Sequence, residues 1–174
     1  MEGTHANLKT LVKSSRGYHY KRWNVRFLVP LDFSEYTNQA LDYAIHLASK
    51  LDERLTLLHV IQALPLGGGD MGVTVRSTSL EVLEAEITSS MQACLERVTA
   101  AGLEGEITIV KGVPFQEILE TAKTQQVDLI VMGTYGRTGL QHVLLGSGAG
   151  KVVRLAPCPV LVVRQPTVTV VPVS

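Results

Sequence analysis

The chain has few aromatic residues, two cysteines, no excess of either charge and no long apolar run. Aromatic side chains make up 5% of its 174 residues, too few for the base-stacking surfaces of a single-strand nucleic-acid binder. No apolar run reaches the ~18 residues of a membrane span, and the N-terminus lacks the apolar stretch of a secretory signal. We therefore expect a cytoplasmic protein with neither nucleic-acid nor membrane partners.

The two cysteines, Cys94 and Cys158, are too few for a disulfide framework, and we expect both to be reduced thiols in or near the core. The net charge of zero is unevenly distributed, because residues 1–24 hold five basic residues and one acidic residue. That segment carries +4, and the rest of the chain carries the balancing −4. A mildly acidic body is a poor candidate for binding nucleic-acid phosphates.

Three segments follow from the patterning. Residues 1–24 show no sustained period, which predicts a flexible basic extension, with a transit peptide as the alternative. Residues 25–164 carry the regular pattern of a single folded domain. Residues 165–174 form a β-prone tail bracketed by prolines, which predicts either a loose tail or a strand that pairs with a partner chain.

Short apolar runs alternate with helical patterns throughout the central segment. The runs predict strands at residues 25–31, 55–61, 106–111, 128–132 and 159–163. Helices are predicted after Ser34, over residues 80–101, from Pro114 and over residues 147–155. This alternation predicts an α/β fold, an open parallel sheet with helices on both faces. Such sheets bind ligands at the carboxyl ends of strands where the strand order reverses.

A glycine-rich segment follows the fourth predicted strand, running from Gly133 to Gly139 and continuing at residues 146–148. Backbone N–H groups in such turns bind phosphate. The spacing does not fit a P-loop, since Leu145 stands where the first glycine is required and Val152 follows Lys151. A dinucleotide fingerprint does not fit either. It requires glycines after the first strand of the fold, whereas the glycines here follow the fourth.

The spacing that remains is G-2x-G-9x-G-S, from Gly133 and Gly136 to Gly146 and Ser147. It resembles the signature of the ATP-binding branch of the universal stress protein family. Similar motifs lie at residues 29–35, 58–60, 112–114, 131–139, 144–147, 151–153 and 156–163. The resemblance covers residues 25–164. It implies a five-stranded parallel sheet of order 3-2-1-4-5, a homodimer through the last strand, and ATP binding.

The resemblance also assigns roles to two groups of residues. Gly133 and Gly136 would let the backbone approach the ribose and phosphates, and residues 146–148 would present N–H groups at a helix start. Arg137 would neutralise phosphate charge, with Thr138 as a weaker phosphate candidate. The alternatives are turn glycines with Ser147 as a helix N-cap, and a solvated loop arginine.

The second group lies on and beside the first two strands. Asp32 would accept hydrogen bonds from the ribose or the adenine amino group, while Pro30, Leu31 and Val60 would enclose the adenine. Met132 would lie near the ribose. The alternatives are helix capping for Asp32 and an ordinary core position for each apolar residue.

The predicted function is a stress-response switch that binds an adenine nucleotide: ATP, or AMP or ADP, with Mg²⁺ as an accompanying ion. Binding would order residues 62–79 and 137–145 and so change the surface offered to an unidentified protein partner. Alternatives are a slow ATPase or autophosphorylating protein, with Ser147 or Thr138 as acceptors, and a dimeric interaction module without nucleotide. Gly148 and Gly150 depart from the family pattern, which would either allow a closer approach of the phosphate or loosen the empty site, so the affinity is left open.

No catalytic or metal-binding arrangement is evident in the sequence. The histidines lack the spacing of metal ligands, and no serine or cysteine has an evident base and orienting acid. They stand at positions 5, 19, 46, 59 and 142. We expect His59, inside the second strand, to lie in the core or near the dimer interface.

Overall fold

The fold is built from alternating strands and helices, preceded by two short strands. The computed structural model describes residues 10–14, 17–21, 25–51, 53–62, 77–134 and 146–164. The elements are β1 (Thr10–Ser14), β2 (Gly17–Lys21), β3 (Arg26–Pro30), α1 (Glu35–Leu51), β4 (Arg54–Gln62), α2 (Ser77–Ala100), β5 (Gly105–Gly112), α3 (Pro114–Thr124), β6 (Leu129–Gly133), α4 (Ser147–Leu155) and β7 (Val160–Val163). None of the helices in the described ranges is long and apolar enough to cross a membrane.

The main sheet has five parallel strands in the order β5-β4-β3-β6-β7. Counted from β3 as the first, this is the order 3-2-1-4-5, so the prediction is confirmed. The chain runs outward from β3 to β5 and then crosses to β6 on the other side of β3. The strand order therefore reverses between β3 and β6, the place where open α/β sheets bind ligands.

Both faces of the sheet are covered, and successive residues of β3 point into two different cores. Phe27 and Val29 pack with residues of α1 and α2, such as Leu41 and Met91. Leu28 lies in a second cluster with residues of α3 and α4. A strand buried on both faces has no polar side to expose, which is why its sequence is a continuous apolar run.

The end of α2 shows how the chain is set for the next strand. Gly102 has φ +77, a left-handed conformation that favours glycine. Its N–H bonds the Thr99 carbonyl at 2.9 Å, and the Leu103 N–H bonds the Val98 carbonyl at 3.3 Å. These are the two bonds of a Schellman motif, which ends the helix and directs the chain into β5.

The N-terminal segment contains two strands that the sequence did not predict. β1 and β2 pair antiparallel, from Thr10 opposite Lys21 to Ser14 opposite Gly17. Tyr18 and Tyr20 favour strands, but five-residue strands are too short to give a sustained period. The predicted tail at residues 165–174 lies outside the described residues.

The two cysteines occupy different environments. Cys94 lies in the core on α2, with 7% of its surface exposed, whereas Cys158 is half-buried after α4. Both are free thiols. Burial raises the pKa of the Cys94 thiol against the opposing charge of Arg97. Burial, together with the negative charge of Asp128, raises the pKa of Cys158.

Candidate functional site

The two segments that the sequence predicted as a site lie side by side at the carboxyl end of the sheet. A Cβ built on Gly133, the last residue of β6, would stand 2.9 Å from the carbonyl oxygen of Tyr36 in the first turn of α1. On the other side, the Gly146 N–H donates to the Thr134 carbonyl at 2.9 Å. The starts of α1 and α4 therefore flank the end of β6.

Asp32 is held at the start of α1 by its own hydrogen bonds. Its Oδ1 accepts from the Ser34 N–H at 3.0 Å and from the Thr37 hydroxyl at 3.0 Å. Ser34 also caps the helix, since its Oγ accepts from the Thr37 N–H at 3.4 Å. Ser34 is thus the cap of α1, and Asp32 supports it by bonding the Ser34 N–H and the Thr37 side chain.

Residues of β4 hold the loop between β3 and α1 through hydrogen bonds and ring stacking. The Leu31 N–H donates to the Leu58 carbonyl at 2.8 Å, and Nδ1 of His59 bonds the Leu31 carbonyl at 2.8 Å. Phe33 has φ +62 and stacks on the His59 ring, with centroids 4.6 Å apart and planes 19° from parallel. His59 is 7% exposed, which confirms the prediction of a core position.

The predicted apolar lining is divided between the two cores. Leu31 is 4% exposed and belongs to the cluster on the α1 and α2 face. Met132 is 7% exposed and belongs to the cluster on the α3 and α4 face. Pro30 is buried at the end of β3. Val60 is half-buried, so it presents more side-chain surface to a ligand than the other three.

Among the described residues, no side chain caps the start of α4. Its N-cap residue is Gly146, with φ −59 and ψ 151. Ser147 is the first helical residue and is exposed, so the alternative of a serine N-cap is wrong. The first turn of α4 has no acidic residue, whereas those of α1 and α3 contain Glu35 and Glu117.

The glycines of the motif have different reasons to be glycine. At Gly133 the backbone of Tyr36 occupies the space that a side chain would need, so packing alone requires the glycine. Gly148 has no described atom within 4 Å of an added Cβ, which leaves open space beside the helix start. Gly136, Arg137 and Thr138 lie outside the described residues.

Thr134 adjoins these residues, since its carbonyl accepts from the Gly146 N–H, and no sequence motif singles it out. It directly follows β6, is 2% exposed, and its Oγ1 has no hydrogen-bond partner among the described residues. A buried hydroxyl without a partner costs about 1–3 kcal/mol. The only signal in the sequence is a hydroxyl residue inside the glycine-rich segment, which is too common to be decisive.

A groove of about 260 Å³ lies apart from this site, between α2 and the β4–β5 pair. It is lined by Ile61, Glu84, Ile87, Thr88, Ile109 and Lys111. None of the predicted nucleotide-binding residues lines it.

Within the described ranges, no group of three His, Cys, Asp or Glu side chains is placed to hold a metal ion.

Sequence comparisons place these features in a family. The model of the universal stress protein family matches residues 24–164. Universal stress protein MJ0531 of Methanocaldococcus jannaschii is 34% identical over 141 residues, which covers 81% of this chain and 82% of that protein. Universal stress protein YxiE of Bacillus subtilis is 34% identical over 145 residues, which covers 80% of this chain and 98% of that protein.

Solved structures share the fold. The structure of MJ0577, also from M. jannaschii, is 31% identical with a TM-score of 0.70, and the match covers 83% of this chain and 98% of that one. A universal stress protein in complex with cAMP is 24% identical with a TM-score of 0.61, covering 82% and 98%. Arabidopsis thaliana At3g01520 with AMP bound is 18% identical with a TM-score of 0.59, covering 82% and 93%. On the family match over residues 24–164 and on relatives above 30% identity, the chain belongs to the universal stress protein family.

Proposed function

We propose that the chain binds an adenine nucleotide across the carboxyl ends of β3 and β6, with ATP as the first candidate and AMP and ADP as alternatives. The observation that carries the proposal is the start of α4, which no described side chain caps, beside the buried hydroxyl of Thr134, which has no hydrogen-bond partner among the described residues. Both are polar groups that a ligand would satisfy, and both lie at the reversal of strand order.

The α4 side supplies the phosphate half of the proposed site. The N–H groups of a helix's first turn have no acceptor within the helix, and the helix dipole favours an anion there by about 0.3–1 kcal/mol. The open space at Gly148 lets a phosphate approach these groups. Ser147 is exposed and its hydroxyl is not used as a cap, so it is available to donate to a phosphate oxygen.

The β3 side supplies the base and ribose half. Asp32 lies just past β3, and its carboxylate is held in one orientation by Ser34 and Thr37. A carboxylate held in this way accepts hydrogen bonds from ribose hydroxyls or an adenine amino group at little cost in side-chain entropy. Val60, at the end of β4, offers half-buried apolar surface to the base.

Related proteins support an adenine ligand. The family includes a member solved with cAMP and another solved with AMP. With ATP, Mg²⁺ would be held chiefly by the phosphates and water, as is usual for this ion. We further propose that the protein is cytoplasmic, that it is a homodimer through the edge strand β7, and that nucleotide binding regulates contact with a protein partner.

A charge placed at the start of α4 separates ligand binding from folding. Ser147→Asp adds a carboxylate where the helix dipole stabilises it, so the free energy of unfolding is expected to rise by about 0.3–1 kcal/mol. The same carboxylate repels phosphate, and the affinity for ATP measured by calorimetric titration is expected to fall at least about tenfold. Ser147→Asn is the matched control, with a similar shape and no charge.

The outcomes are distinct. Binding of ATP to the wild-type protein, its loss in the Asp variant and its retention in the Asn variant would support the proposal. Adenine nucleotide in the acid extract of freshly purified protein would support it independently. If the wild-type protein neither carries nor binds an adenine nucleotide, the proposal fails. If Ser147→Asp binds ATP as tightly as the wild type does, the phosphates do not lie at the start of α4.

A further inference from the structure

We propose that His59 is a positioning residue of the adenine pocket, which fixes the loop that carries Leu31, Asp32 and Phe33 without contacting the nucleotide. The inference rests on the proposed function and adds to it a determinant of affinity for the base. The sequence predicts His59 only in the core or near the dimer interface. Its contacts extend beyond packing, because they tie β4 to the loop that follows β3.

The first contact fixes the backbone of the loop. Nδ1 of His59 lies 2.8 Å from the Leu31 carbonyl, and since a carbonyl only accepts, Nδ1 must carry the proton. The N–H of Leu31 is bonded to Leu58 at 2.8 Å. Both backbone groups of Leu31 are therefore engaged by β4, which leaves the loop little freedom to shift.

The second contact holds an unfavourable backbone conformation. Phe33 has φ +62, a left-handed conformation that side chains other than glycine rarely adopt. The His59 ring stacks on the Phe33 ring at 4.6 Å. Asp32 lies between the two residues that His59 contacts, so the position of its carboxylate depends on both contacts.

The position of His59 along β4 links the two walls of the proposed pocket. The next residue, Val60, is half-buried and points to the opposite face of the sheet, because successive side chains of a strand alternate. His59 thus sets the position of the β3 loop relative to the strand that carries Val60. Loss of this link is expected to weaken binding of the base and to leave binding of the phosphates, which belong to α4, unchanged.

Two variants separate the ring from the hydrogen bond. His59→Phe keeps an aromatic ring against Phe33 and removes the donor, whereas His59→Asn keeps a donor at the position of Nδ1 and removes the ring. For His59→Phe, affinities for adenosine, AMP and ATP are expected to fall by one common factor of about tenfold or more. The inhibition constant of tripolyphosphate, measured in competition with ATP, is expected to be unchanged. His59→Asn is expected to recover part of the lost affinity for the nucleotides.

A ligand-independent measurement accompanies these titrations. Nitrogen-15 NMR of the wild-type imidazole is expected to show Nδ1 protonated, and an unprotonated Nδ1 would overturn the inference even if both variants fail to fold. Unchanged adenosine affinity in a folded His59→Phe protein would also overturn it, as would an equal loss for tripolyphosphate. If the wild-type protein binds no adenosine or ATP, the proposed function fails and this inference fails with it.

Discussion

The carbonyl oxygen of Tyr36 lies 2.9 Å from the position that a Cβ on Gly133 would occupy. The first turn of α1 therefore rests directly on the end of β6. This contact joins the loop that carries Asp32 to the segment that leads to α4, and so brings together the two halves of the proposed site. The glycine that looks like a ligand-binding motif residue is required by packing, whether or not a ligand is bound.

Gly133→Ala is expected to destabilise the protein by about 1–3 kcal/mol, because the clashing atoms belong to the Tyr36 backbone and cannot move aside like a side-chain tip. Gly148→Ala is the matched control. In the part of the chain that the structure describes, nothing lies within 4 Å of a Cβ at this position, and alanine favours the helix by up to about 1 kcal/mol. Urea denaturation gives the free energy of unfolding of each variant, and equal values for the two would contradict the packing argument.

The sequence predicts the sheet well, because its strands are apolar on both faces. Those runs and the helical patterns between them place every strand and helix after Val25, and α4 is observed over Ser147–Leu155 as predicted. The hydrophobic periodicity predicts that strands alternate with helices along the chain, but it does not predict the order of the strands in the sheet. The order 3-2-1-4-5 came from the resemblance of the glycine motif to a family.

The contacts of the site are harder to predict, since they depend on neighbours distant in sequence. Nothing local to Gly133 indicates that Tyr36 stands against it. The hydrogen bond from the Ser34 N–H to Asp32 fits a local pattern, whereas the bond from His59 to Leu31 spans 28 residues. That the hydroxyl of Thr134 is buried and has no partner among the described residues can be known only from the structure.

Thr134→Val is expected to leave the free energy of unfolding of the ligand-free protein unchanged or to raise it by about 1 kcal/mol, since it removes a buried hydroxyl without a described partner. Under the proposed function it is expected to weaken ATP binding by about tenfold. Thr134→Ser keeps the hydroxyl and serves as the control for both measurements. Marked destabilisation by valine alone would mean that the folded protein already satisfies this hydroxyl.

The hydrogen bond between Asp32 and Thr37 is expected to stabilise the start of α1 without any ligand. Asp32→Ala removes the acceptor of two bonds, each at 3.0 Å, and is expected to cost about 1–2 kcal/mol, like the loss of a helix cap. Thr37→Val removes one of those bonds and leaves the carboxylate. A double-mutant cycle by urea denaturation is expected to give a coupling energy of about 0.5–3 kcal/mol. If the effects of the two substitutions on the free energy of unfolding are additive, the hydrogen bond between Asp32 and Thr37 is contradicted.

The buried thiol of Cys94 is expected to make the protein less stable at alkaline pH. Burial raises its pKa in the folded state, while in the unfolded chain the thiol ionises near pH 8.5. The folded state therefore holds the proton more tightly, and the stability this supplies is complete below about pH 8.5 and is lost as pH rises through the folded pKa. Denaturation from about pH 7 to about pH 10 is expected to show that the cost of Cys94→Ala shrinks as pH rises. A cost independent of pH would show that the thiol ionises equally in both states.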